Sequence, residues 1–192
     1  MHRAHLSHYE LKEKGYFLAL GTLEPRKNLQ TLLEAYSLLP SSIQEKYPLV
    51  LVGARGWLND SLDKAIKKIP SQYLKIMGYV PQADLPSITA GAKALLYASK
   101  YEGFGLPPLE AMACGTPVIS SNAEAMTEVV GNAGYLLDPN YPLAFKEAMI
   151  HIIEDEQQAI KMKHQGLERA QQFSWKRCAR ETLACYEMVL KG

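Results

Sequence analysis

Six short apolar runs recur along the chain at 16–21, 48–53, 73–78, 92–99, 117–121 and 133–138, and several of them end in glycine. Between them the apolar positions repeat at helical rather than alternating spacing. Leu29, Leu32, Leu33, Tyr36 and Leu39 form one such stripe behind Asn28, which is placed as its N-cap. Amphipathic segments follow over 58–69 and around 85–90, and a short helix is expected near 127–130. Strands that are apolar throughout and alternate with helices predict a parallel sheet buried on both faces. The expected fold class is therefore α/β, a doubly wound parallel sheet. In such a sheet ligands bind outside the carboxyl ends of the strands, so the loops after the first four strands should converge on one crevice.

Beyond Pro139 the pattern turns helical. Phe145, Met149, Ile152 and Ile153 share one face, a polar helix runs to about Gln172, and Ser174 is placed to cap a last helix. Its stripe of Trp175, Ala179, Leu183, Tyr186 and Leu190 fits equally the core of this domain or the surface of a partner domain. Residues 1–14 are polar and read as a linker or N-terminal extension, leaving 15–192 as one domain. His2, His5 and His8 would share a face if helical, but ordinary surface histidines near a terminus are the commoner case, and no metal is expected.

Composition narrows the partners. With 21 basic and 20 acidic residues among 192, the formal charge is +1, which gives no field for holding a nucleic-acid backbone. No apolar stretch approaches the roughly 20 residues that span a bilayer, and no secretory leader is evident, so a cytoplasmic protein is expected. The three cysteines, Cys114, Cys178 and Cys185, form no CxxC pair and carry no chemistry in this reading.

The most informative stretch is 102–115, Glu-Gly-Phe-Gly-Leu-Pro-Pro-Leu-Glu-Ala-Met-Ala-Cys-Gly. It follows the fourth strand, and Pro108 and Gly115 are placed as a first-turn proline and a helix-ending glycine. Gly103 and Gly105 thus sit at a strand-to-helix junction, where free backbone N–H groups and the helix dipole favour an anion such as phosphate. Glu102 lies at the mouth of the turn and Glu110 is expected in the first helical turn. Carboxylates repel phosphate, so both are assigned to neutral hydroxyls. A sugar nucleotide offers hydroxyls and a diphosphate together. After the first strand, 21–28 reads Gly-Thr-Leu-Glu-Pro-Arg-Lys-Asn. Alone, Arg26 and Lys27 read as a solvated basic pair; opposite the glycine turn they become a second anion-favouring feature. Phosphate-loop, dinucleotide-binding, nucleophile-elbow and zinc-helix motifs are all missing from the sequence, so kinase, dehydrogenase, hydrolase and zinc-protease readings have no anchor.

On these residues the chain resembles the C-terminal, donor-binding, Rossmann-like domain of a GT-B fold glycosyltransferase of family four (group 1), close to its mannosyltransferase-like members. The marks are the 21–28 segment, Leu-Val-Gly at 51–53, Gly-Tyr-Val at 78–80, the 99–113 segment, Gly-Thr-Pro-Val-Ile at 115–119 and Glu-Val-Val-Gly at 128–131. The resemblance implies a donor site of Gly21, Thr22, Arg26, Lys27, Gly53, Val80, Glu102, Gly103, Phe104, Gly105, Leu106 and Glu110. Within it Glu102 would serve the donor sugar near the reacting centre, Glu110 the ribose, Lys27 with Arg26 the diphosphate, and Val80 the base through its backbone. Glu102, Lys27 and Arg26 are the implied catalytic set. The implied reaction is retaining transfer from a nucleoside diphosphate sugar, without metal or cofactor, with GDP-mannose favoured and a UDP-sugar as the other candidate. An N-terminal acceptor-binding domain is the implied partner, and through it a peripheral membrane contact. The chain would be an excised domain or one subunit of a split enzyme; a non-catalytic nucleotide-sugar-binding module is the alternative, and an epimerase on a related fold a more remote one. Two departures stand out: Thr22 occupies a position where members often carry arginine, and Met126 one where proline is common.

Overall fold

In a computed structural model the chain is described over residues 6–54 and 60–191. Six strands form one sheet: β1 (Phe17–Leu20), β2 (Leu49–Val52), β3 (Leu74–Gly78), β4 (Ala94–Tyr97), β5 (Val118–Ser121) and β6 (Tyr135–Leu137). Each expected strand is present, shortened by one or a few residues at its ends. The order across the sheet is β3-β2-β1-β4-β5-β6, and every pairing is parallel. The helices are α1 (Leu29–Ser37), α2 (Ser41–Lys46), α3 (Asp60–Lys67), α4 (Leu85–Gly91), α5 (Leu106–Ala113), α6 (Glu124–Val130), α7 (Pro142–Glu154), α8 (Glu156–Ala170) and α9 (Trp175–Lys191).

Alternate residues of each central strand enter opposite layers, as the pleat requires. Phe17, Ala19, Leu49, Leu51 and Leu96 pack with α1, α3 and α7 in one layer. Leu18, Val50, Leu95 and Tyr97 pack with α4, α5 and α6 in the other. The doubly wound arrangement follows from this two-sided burial. The chain order reverses at β1, whose neighbours are β2 and β4, so the switch point of the sheet lies between the carboxyl ends of β1 and β4.

Several readings change in detail. Residues 6–14 are no loose linker: Leu6 and Leu11 are buried in the second layer, the Tyr9 hydroxyl donates to Asp84 at 2.7 Å, and Lys14 Nζ donates to the Ala90 and Ala92 carbonyls. Asn28 does precede α1, but in the left-handed region (φ 51°) and without a side-chain cap; its amide instead donates to the carbonyls of Ala98 and Pro139. Ser174 caps α9 as expected, accepting from the Arg177 backbone at 3.1 Å. The rest of α9 removes one of the two places expected for its apolar stripe. Trp175, Leu183, Tyr186 and Leu190 are all exposed, so the helix contributes nothing to this domain's own core. His2 and His5, with Arg55 and Gly56 of the second-strand loop, lie outside the described residues.

Candidate functional site

At the switch point the loop after β1 and the loop after β4 are fastened to each other. The Ser99 hydroxyl lies 3.0 Å from the Arg26 carbonyl, the Lys100 backbone N–H donates to the same carbonyl at 2.9 Å, and the Asn28 amide reaches Ala98. This brings Arg26 and Lys27 against Glu102, which becomes the hub of the site. Glu102 Oε1 accepts from Lys27 Nζ at 2.6 Å, from the Tyr97 hydroxyl at 2.6 Å and from Ser99 Oγ at 2.7 Å; Oε2 accepts from Arg26 Nη1 at 2.8 Å. Lys27 Nζ also lies 2.9 Å from the Tyr97 hydroxyl, and Arg26 Nε pairs with Glu24 at 2.9 Å. The side chains of Glu102 and Lys27 are only 9% and 11% exposed, whereas that of Arg26 is 49% exposed.

The electrostatics follow from those contacts. Burial opposes the charge on Glu102, but hydrogen bonds from Lys27, Tyr97 and Ser99 outweigh it and hold its carboxyl down at about 2. Burial pushes the Tyr97 hydroxyl well up, and the adjacent Glu102 charge adds to the shift. Two cations and two carboxylates, Arg26 and Lys27 against Glu24 and Glu102, thus compensate one another. The sequence places Arg26 and Lys27 opposite the glycine turn; their pairing with Glu24 and Glu102 appears only in the fold.

The glycine turn 103–105 opens directly onto α5. Gly105 is the N-cap residue with φ +107°, and Leu106 begins the helix. Glu110 therefore sits in the second turn and not the first, because the helix starts immediately after the left-handed glycine. Glu110 is exposed and its carboxylate makes no hydrogen bond or ion pair with the described residues; partial burial pushes that carboxyl above the usual range. Phe104 and Leu106 are partly exposed, and Phe104 meets Phe173 edge to face. Gly21 and Gly53 close the neck at the ends of β1 and β2. A Cβ on Gly53 would lie 2.0 Å from the Gly21 carbonyl oxygen, so only glycine allows the two strand ends to approach this closely. Thr22 is exposed beside them. The Val80 side chain is buried in the second layer, which leaves only its backbone for a ligand.

Arg26, Lys27 and Glu102 are thus in direct contact, Gly21 lies against Gly53, and Gly103 to Leu106 form the helix entrance with Glu110 one turn on. Tyr97 and Ser99 are members that sequence reasoning missed. Their signal was present: Leu95, Tyr97 and Ser99 alternate along β4 and its exit, so the polar atoms of the last two point the way Glu102 must turn. A cavity of about 200 Å³ lies between Glu24, Asn28, Gln30, Leu62 and Lys100, on the flank of the first loop, and includes neither Glu102 nor Glu110.

Comparison with known proteins bears on the family and the fold. The chain is 43% identical over 185 residues to O-antigen chain mannosyltransferase B of Escherichia coli, covering 96% of this chain and 49% of that protein. It spans about half the length of that relative, or less in others. Among solved structures it superposes with a TM-score of 0.81 on Anabaena HepE in complex with UDP and glucose, at 22% identity over 95% of this chain and 51% of that one. It also superposes, with a TM-score of 0.76 and 22% identity, on the C-terminal domain of the group 1 glycosyl transferase LpcC from Francisella tularensis, covering 90% of this chain and 92% of that domain. Residues 4–169 match the profile described as Glycosyl transferases group 1, and the chain belongs to that family.

Proposed function

We propose that this chain is the donor-binding half of a retaining glycosyltransferase that moves a mannose-like sugar from a nucleoside diphosphate sugar to an acceptor held by an N-terminal domain. The observation that carries the reading is the convergence at the β1/β4 switch point of a glycine turn entering a helix, a cation pair and two carboxylates in opposite environments. The likeness to a mannosyltransferase favours GDP-mannose, and the UDP-bound Anabaena structure supports the general class of ligand.

In this reading the backbone N–H groups of 103–106 and the α5 dipole hold the diphosphate, where their fixed dipoles stabilise charge on the departing group. Arg26, half exposed and bonded to the open Oε2 side of Glu102, turns to the phosphates first, and Lys27 follows. The exchange leaves Glu102 free to accept from sugar hydroxyls near the reacting centre. Glu110 takes the ribose hydroxyls, and the Val80 backbone faces the base. Gly21, Thr22 and Gly53 form the neck through which the donor enters. Neither glutamate acts as a hydrolytic acid or base in this scheme, because Glu102 serves the sugar hydroxyls and Glu110 the nucleotide. No metal or cofactor takes part.

The exposed apolar face of α9 is the surface for the acceptor-binding half. Without that half the cleft stays wet and the acceptor unplaced, so the chain alone transfers poorly. Assaying mannose transfer from GDP-mannose, and glucose transfer from UDP-glucose, with and without the N-terminal half supplied tests the reading. Restored transfer is the expected result. Intact donor binding with no transfer in either case would make the chain a non-catalytic nucleotide-sugar-binding module.

A further inference from the structure

The glycine turn does not hold its shape alone. Met126 of α6 is fully buried, and its terminal methyl fills the space at Gly105: a Cβ there would lie 2.2 Å from Met126 Cε and 3.1 Å from Sδ. On the other side, the Phe104 ring meets the Phe173 ring edge to face, with centroids 5.9 Å apart and an interplanar angle of 80°. Phe173 is itself fixed by Arg169, whose guanidinium lies over the ring at 5.0 Å. Arg169 then donates to the carbonyls of Val129 (3.2 Å) and Glu128 at the end of α6, the helix that carries Met126. The contacts close a ring: turn to Phe173, Phe173 to Arg169, Arg169 to α6, and Met126 of α6 back to the turn.

From this geometry we infer that Met126 and Phe173 are positioning residues that fix the backbone of the turn 103–105 and thereby set how strongly the chain holds the diphosphate part of its nucleotide. The inference rests on the donor-site reading above. The physical reason is selective. Backbone N–H groups reward an anion only when they point at it together, and the left-handed φ of Gly105 is an orientation that the chain keeps only where its surroundings impose it. Removing the sulfur or the ring lets the turn relax and scatters those N–H vectors. The ribose and base contacts, at Glu110 and Val80, lie outside the ring of contacts and keep their geometry. The long, flexible side chain of Met126 suits it to fill the space beside a glycine.

The test is an NMR titration of the parent chain and four variants with GDP and guanosine, and with UDP and uridine, well below each melting temperature. For the diphosphate that binds, Met126→Ala and Phe173→Ala should each lower the diphosphate-to-nucleoside affinity ratio about tenfold, the loss of roughly one hydrogen bond to a charged group. Met126→Leu and Phe173→Tyr, which keep the volume and the ring, should restore it. Equal weakening of both ligands, or an unchanged ratio in both alanine variants, overturns the inference while leaving the donor-site reading intact. A parent chain that binds neither diphosphate overturns both.

Discussion

Glu102 and Glu110 lie on either side of one glycine turn, and their surroundings have opposite effects on the same chemical group. Around Glu102 the exits of β1 and β4 supply four donors, from Lys27, Tyr97, Ser99 and Arg26, and hold the carboxylate ionised. On α5, Glu110 meets no such donor, and its surroundings penalise its charge. The first carboxylate joins the two loops, and the second faces solvent. The spacing of the glutamates alone does not reveal this difference in environment.

Breaking the contrast at its stronger end should have the largest effect. Glu102→Ala leaves Lys27 and Tyr97 without their shared partner in a nearly closed environment, and should cost about 3 kcal/mol, or roughly 10 °C in Tm by thermal melt. The same group predicts an acid limb. Its folded pKa, about 2, lies below the ordinary 4.5, so its contribution is complete above the ordinary value and drains away as pH falls from about 4.5 towards 2. Melts across that window should show a shallower fall in Glu102→Gln than in the parent.

Tyr97→Phe removes one donor to Oε1 and the hydroxyl contact with Lys27 while keeping the ring. It should cost about 1 kcal/mol and raise the Glu102 pKa, readable by carbon-detected NMR of the side chain. The contrast predicts the opposite sign at Glu110. Because its folded pKa is raised, stability is fullest below the unfolded pKa and declines as pH rises through the folded one. Glu110→Gln should therefore stabilise the chain slightly at neutral pH, by no more than about 0.5 kcal/mol. Leu183→Ser on exposed α9 should change Tm least of all, again within about 0.5 kcal/mol, because the parent residue is largely exposed and outside the core.

Much of this fold was legible because each strand is an apolar run with a glycine or turn at its end, and the period between runs is helical. The short helix α2 was not, since Ile43 is its one large apolar residue and its buried member is a glutamine, Gln44. Residues 6–14 escaped for a similar reason: Leu6 and Leu11 are isolated among charges, and their burial depends on a distant surface between α4 and β1. At the site, the meeting of Arg26 and Lys27 with Glu102 follows from placing two loops on adjacent parallel strands. That these charges compensate each other does not, because the side chains meet only once the loops are stapled by Ser99 and Asn28. The contacts of Met126 with Gly105 and of Phe173 with Phe104 join residues far apart in the chain, and no local pattern announces them.

The central claim is that Glu110 is the carboxylate kept ready for the nucleotide. A calorimetric titration of the parent and Glu110→Ala with GDP and UDP tests it most directly. The parent should bind one of the two, and the variant should bind it about 10- to 100-fold more weakly with a melting temperature no lower than the parent's, the loss of a hydrogen-bonded charged acceptor. A variant that binds as tightly as the parent would contradict it.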